Sequence, residues 1–304
     1  MYFQGIFGMK INRTILSVLV ILLTLSCVEE PEKVSITALP LKWRESALPL
    51  TVKVHADFSS LNAIDGSSDD LPLAAADDGL YDDYDLMQEM QKAWNDADDA
   101  REYFVLDHGQ AAGADPYTDL DDYYDGEIGI YVTENWFSSI GYGVLAITSY
   151  FAEQRTDHLR MVHGDIIVNF RDYYFSFDKA RTQESTTYYD LPSVILHELG
   201  HLLGLKHTTS STVQSIMYPQ LGSTEVKRTL GYYDSLSISN LYDTNTQALK
   251  TAQAFSSASV DESMKNADDG QEKPKIIHGY IELRADGHCR HFQDGSLIHD
   301  HKVF

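Results

Sequence analysis

His197, Glu198, His201 and His207 lie in the run His-Glu-Leu-Gly-His-Leu-Leu-Gly-Leu-Lys-His from 197 to 207. Four positions separate His197 from His201, so on a helix both imidazoles leave the same face about one turn apart. Two imidazoles at that spacing can hold one zinc ion, and Glu198 between them is placed to take a proton from water at the metal. Gly204 lets the chain leave the helix in a conformation other residues resist, so that His207 swings back as a third ligand. Three neutral ligands leave a fourth position for water, which is the layout of a catalytic zinc site. The competing explanation is a chance HExxH on a buried helix. A bare HExxH arises in roughly one chain in a hundred at average residue frequencies, and requiring Gly204 and His207 lowers that by roughly several hundredfold more.

The elements that must position these residues can be read from periodicity. Leu191 to Leu205 is the helix that bears the motif, and Leu86 to Phe104 is an amphipathic helix with Leu86, Met90, Ala93, Trp94, Ala97 and Ala100 on one face. Strands are expected at Leu48 to His55, Tyr103 to Leu106, Glu127 to Val132, Gly143 to Phe151 and Asp165 to Phe170. One twisted mixed sheet backed by two helices satisfies this order, an α+β fold. His55, alone on its strand, reads as an ordinary side chain. His158 and His163, with Asp157 and Asp165 nearby, are a candidate second metal site in the loop before the last of these strands, without tight ligand spacing.

The chain has 304 residues with 46 acidic against 23 basic, a net charge of −23, and 43% hydrophobic residues. That is enough apolar material for one large domain with appendages, and the charge argues against nucleic acid as a partner. The acid-rich stretch 59–85 contains no DxDxDG loop, so calcium is left without support and a solvated insertion is expected.

Only Cys27 and Cys289 occur, which leaves no disulfide framework. A positive start from Met9 to Arg13 and an apolar run from Ile15 to Leu25 read as a secretory signal, too short to span a bilayer comfortably. Residues 1–8 are either a remnant of added sequence or an upstream start. Ending in Ser26-Cys27, the signal resembles that of bacterial lipoproteins, which implies lipidation of Cys27 and a place in the cell envelope, at the outer membrane or cell surface. A plain cleaved signal, giving a secreted protein, and an uncleaved anchor are the alternatives. The resulting organisation is a signal region (1–26), a tether (27–40), a catalytic domain (41–248), a linker (249–274) and a small His-rich β appendage (275–304).

The appendage has hairpin turns at Ala285-Asp286-Gly287 and Gln293-Asp294-Gly295, and is too small to be stable without docking or metal. It carries His278, His288, Cys289, His291, His299 and His301. Three roles are open to it: a docked polar hairpin, a separate zinc site, or a block in which Cys289 reaches the catalytic zinc and displaces its water.

Beyond the motif, the chain resembles the metzincin metalloproteases, and among them the matrixins. Residues 197–207 match HExxHxxGxxH at every fixed position, and Ser215-Ile216-Met217-Tyr218-Pro219 resembles the methionine turn that underlies the metal there. Thr208, the lead-in Asp190 to Leu196, Gly143 to Ala146 as the strand bordering the cleft, and Gly231 to Asp243 as a closing helix extend the likeness over residues 41–245. The resemblance implies zinc-dependent hydrolysis of peptide bonds in extracellular or envelope proteins, with His197, His201 and His207 as ligands and Glu198 as general base. Met217 would form a floor under the ligands without binding the metal, with Asp234 supporting its turn. Tyr218 would pack, or act as an extra ligand or oxyanion donor. Peptide would lie extended along the strand at Leu145 and Ala146, and the loop Gln220 to Gly231 would wall the specificity pocket. Between the signal and the first strand there is no cysteine-switch propeptide, so the enzyme is either made active or restrained in some other way. A surface-anchored zinc-dependent binding protein without turnover is the alternative function; an intact Glu198 argues against it.

Overall fold

Two eleven-residue strands, Val144–Gln154 and Leu159–Asn169, form the centre of the fold and run antiparallel, with Ala146 opposite Val168 and Gln154 opposite Leu159. The computed structural model describes residues 39–55, 83–105, 110–111, 118–208, 210, 212–243 and 274–302. Cys27 with the whole signal region, most of the acid-rich stretch and nearly all of the linker fall outside these residues.

In chain order the strands are β1 (Leu41–Trp43), β2 (Leu50–Thr51), β3 (Lys53–His55), β4 (Phe104–Val105), β5 (Gln110–Ala111) and β6 (Gly129–Thr133). The two central strands are β7 and β8, and β9 (Tyr174–Ser176) and β10 (Tyr188–Asp190) follow. The tail supplies β11 (Ile276–Arg284), β12 (His288–Gln293) and β13 (Ser296–Lys302). The helices are α1 (Asp83–Asn95), α2 (Lys179–Glu184), α3 (Leu191–Leu202) and α4 (Tyr232–Tyr242).

Among the described residues one mixed sheet runs β13-β12-β11-β7-β8-β6-β3-β5, with β1 also paired to β8. Ile166 and Val168 face a core shared with Trp94, Leu196 and Leu199, while Ile147 and Ile167 face a second cluster around Tyr123, Tyr131, Trp136 and Phe137. Both faces are covered, which is why β7 from Val144 to Ala152 and β8 from His163 to Asn169 are buried throughout and carry apolar residues on both faces. On the first face α1 packs against α3, and the buried Trp94 indole donates to the Leu196 carbonyl at 2.9 Å.

Two expectations need correction. The first helix stops at Asn95 because that side chain takes up the backbone of the next strand. Its Oδ1 accepts from Tyr103 N (2.9 Å) and Phe104 N (2.8 Å), and its Nδ2 donates to Phe104 O (2.8 Å). His163 lies within β8, not in a loop, because the strand begins at Leu159 and is buried on both faces from His163 on. The tail is docked, the first of the three roles open to it. Its strands continue the main sheet, with β11 antiparallel to β7 along nearly its whole length.

Candidate metal centre

Asp190 starts α3. Its buried carboxylate accepts from Ser193 N (3.0 Å) as an N-cap and is held by the Arg228 guanidinium, at 2.9 Å from Nε and 2.5 Å from Nη2. The other end of the helix is clamped through carbonyls that have no partner within it. Leu202 O accepts from the Trp43 indole (2.6 Å), and Leu203 O accepts from the Tyr242 hydroxyl (2.9 Å). Gly204 then turns the chain at φ +95°, and a Cβ there would lie 2.0 Å from Leu41 O. Only glycine suits both the angle and the approach of β1.

This frame brings His197, His201 and His207 into one group. His197 Nδ1 lies 2.6 Å from Ile216 O, and His201 Nδ1 lies 2.8 Å from Leu205 O. A carbonyl only accepts, so each Nδ1 carries the proton and each Nε2 presents a lone pair. Burial, reinforced by His201, holds His197 well below its ordinary pKa, and burial pushes His201 down to about 4, so both rings are neutral at pH 7. These two lone pairs converge on His207 Nε2, at 3.1 and 2.9 Å. One proton on His207 can satisfy only one of them; a cation suits all three. The donor set therefore fits zinc on its own chemistry.

Glu198 lies beside the group and is fully buried. Its Oε2 accepts from Thr148 Oγ1 at 2.5 Å, while its buried Oε1 has no hydrogen-bond partner among the described residues. Burial pushes this carboxyl up to about 8, against the opposing pull of Thr148.

Met217 is buried beneath α3, where a Cβ on Gly200 would meet its sulfur at 2.4 Å. Its backbone N donates to Ser215 Oγ at 3.0 Å, and Met217 O accepts from Thr208 N at 2.9 Å. Asp234 fastens the turn, accepting from Ile216 N (2.9 Å), Gly231 N (2.7 Å) and the Ser215 hydroxyl. Tyr218 lines a cleft of about 400 Å³ with Val213, Ile216, Val226, Lys227 and Thr229.

Cys289 approaches from the tail, but its sulfur lies 2.7 Å from His207 Nδ1, the nitrogen that faces away from the other two histidines' Nε2 atoms. It is thus a partner of one ligand ring and not a member of the converging group. Among the described residues no second metal-capable group assembles. His163 Nε2 contacts Asp165 Oδ2 (2.8 Å) and Tyr123 O (2.5 Å), His158 pairs with Asp157 (2.7 Å), and His278 pairs with Asp121 (2.8 Å).

Residues 91–243, just over half of the 304-residue chain, match the family described as Matrixin. The chain belongs to the matrixin family. Over 75 residues, 22% of this matrixin and 21% of the relative, it is 40% identical to Metalloendoproteinase 4-MMP of Arabidopsis thaliana. It is 38% identical over 74 residues to Metalloendoproteinase 1 of Glycine max, covering 24% of each chain. With Metalloendoproteinase 5-MMP of Arabidopsis thaliana it shares 45% identity over 60 residues, 20% of this chain and 16% of that one. The chain thus spans less than a quarter of the length of each of these curated relatives. No solved structure matches it. Matrixins are zinc-dependent, and the histidine cluster of this matrixin is suited to that metal.

Thr148, Gly200 and the carbonyls of Leu205 and Ile216 had no signal in the sequence as parts of the site. Leu145 and Ala146 are fully buried on β7, and the backbone edge they belong to is paired with β11.

Proposed function

We propose that this matrixin is a zinc-dependent endopeptidase in which His197, His201 and His207 hold the metal and Glu198 is the general base. Bound zinc supplies a Lewis acid that polarises a carbonyl and makes water acidic near neutral pH. Glu198 Oε1 is the open oxygen that receives the proton of the attacking water and passes it to the departing amine. Thr148 keeps Oε2 occupied, so the carboxylate presents one defined oxygen. Substrate would lie extended along β7 past Leu145 and Ala146, on the edge that β11 occupies in this structure, and would gain backbone hydrogen bonds without demanding particular side chains. The cleft beside Tyr218 receives one substrate side chain, and Arg228 and Lys227 fasten its loop to the start of α3 through Asp190 and Ser193.

The observation that carries this reading is the convergence of three Nε2 atoms beside a buried carboxylate with one unpartnered oxygen. Binding without turnover would leave that oxygen desolvated to no purpose. Glu198→Ala should retain one zinc per chain by metal analysis and lose about 10²–10⁴-fold in chelator-sensitive hydrolysis of casein. Wild-type rates in this variant would remove Glu198 as the base.

We further propose export and lipidation at Cys27, which would place the enzyme on the bacterial envelope with protein or peptide substrates outside the membrane. The basic start, the apolar run and Ser26-Cys27 support this.

A further inference from the structure

The β7 edge that a substrate peptide needs is filled by the chain itself. Ile281 lies opposite Thr148, Glu282 opposite Ile147, Leu283 opposite Ala146 and Arg284 opposite Val144, all antiparallel. On its other side Arg284 bridges Gln220 in parallel, Gln220 Nε2 donates to Ala285 O (3.4 Å), and Ala285 N donates to Gly143 O (2.9 Å). Residues 281–285 therefore run between the strand above the metal and the segment just after Met217 below it. An extended peptide approaching the histidines would have to run there too.

The segment is fastened beyond its backbone. The buried Arg284 guanidinium holds Glu282 (2.8 Å), Tyr142 O (2.7 Å) and Asp286 (2.8 Å). Ile281 and Leu283 enter the core shared with α3, and Cys289 lies against His207.

We propose that β11 to β13 act as a substrate-like inhibitor built into the chain, and that peptide gains the cleft only when residues 281–285 leave it. This rests on the reading of the chain as an endopeptidase. One cut within 249–274, the stretch read as a linker, severs the covalent connection between the catalytic domain and this segment and makes the strand dissociable.

The test uses the full zinc-loaded chain with a site-specific protease sequence inserted within 249–274, together with Ala152→Cys and Ile277→Cys. These two positions are register partners away from the metal, and a disulfide between them ties β11 to β7. The probe is a fluorescein-labelled peptide of residues 276–286, followed by anisotropy. After cutting, the oxidised protein should not bind the probe. Reduction in excess probe, so that the strand is exchanged rather than its buried face exposed, should raise binding at least tenfold and release the native tail. Binding to the oxidised form, or none on reduction in a protein that keeps its zinc and circular dichroism, would overturn the proposal. Casein hydrolysis is measured in parallel on cut, reduced protein without probe, since the probe would itself fill the cleft. Probe exchange without hydrolysis would leave the occlusion standing and remove the endopeptidase reading instead.

Discussion

Asp234 accepts from the Ser215 hydroxyl and Ile216 N, in the turn that places Met217 and the Ile216 carbonyl, and from Gly231 N at the start of α4. That carbonyl fixes the tautomer of His197, so the carboxylate acts on the metal through two intermediaries. Asp234→Ala strands two buried donors at about 1–3 kcal/mol each. The expected loss is about 3 kcal/mol or more in urea unfolding, with weaker zinc retention against a chelator; Asp234→Asn, which keeps an acceptor, should lose less. The grouping of His197, His201 and His207 beside Glu198 was legible in sequence because its geometry is local: one helical turn and a glycine exit set the spacing. Thr148, fifty positions before Glu198, and Gly200, whose missing side chain makes room for Met217, gain their roles only through packing.

At the scale of elements, periodicity located both long helices and the central strands, and turn chemistry located both tail hairpins. It overran α1, since Ala97 and Ala100 keep the helical spacing while the Asn95 side chain ends the helix by bonding to the next strand. It could not say which edge the tail would take, because an unpaired strand edge leaves no mark on its own residues' periodicity. The β11–β12 turn also carries a pH dependence. The Arg284 hydrogen bond holds the Asp286 carboxyl at about 2, below its ordinary 3.8. A depressed acid stabilises the fold above its unfolded pKa, and that contribution is lost as pH falls through the folded value. The turn should therefore loosen between about pH 4 and 2, seen as faster amide exchange at Ala285, and Asp286→Asn should flatten that slope. With the Asp286 side chain 45% exposed, solvent screening keeps the contribution under about 1 kcal/mol.

For the whole molecule, the net charge of −23 favours solvation, and the lipid anchor proposed at Cys27 would hold the chain at a surface. Cys27→Ser should shift the exported protein from the membrane fraction to the medium, measured by fractionation with radiolabelled palmitate; an unchanged distribution would end the anchor proposal. Tyr242 bears on a different matter. Its hydroxyl donates to Leu203 O and accepts from Trp43 N, so residues near the two ends of the catalytic domain meet at the exit of α3. A ribosome finishes His197, Glu198, His201 and His207 well before it reaches Tyr242, and the strand that fills the cleft comes later still. During synthesis the chain thus holds all four side chains before the clasp that aims them exists, and translation order itself delays assembly of the candidate metal centre.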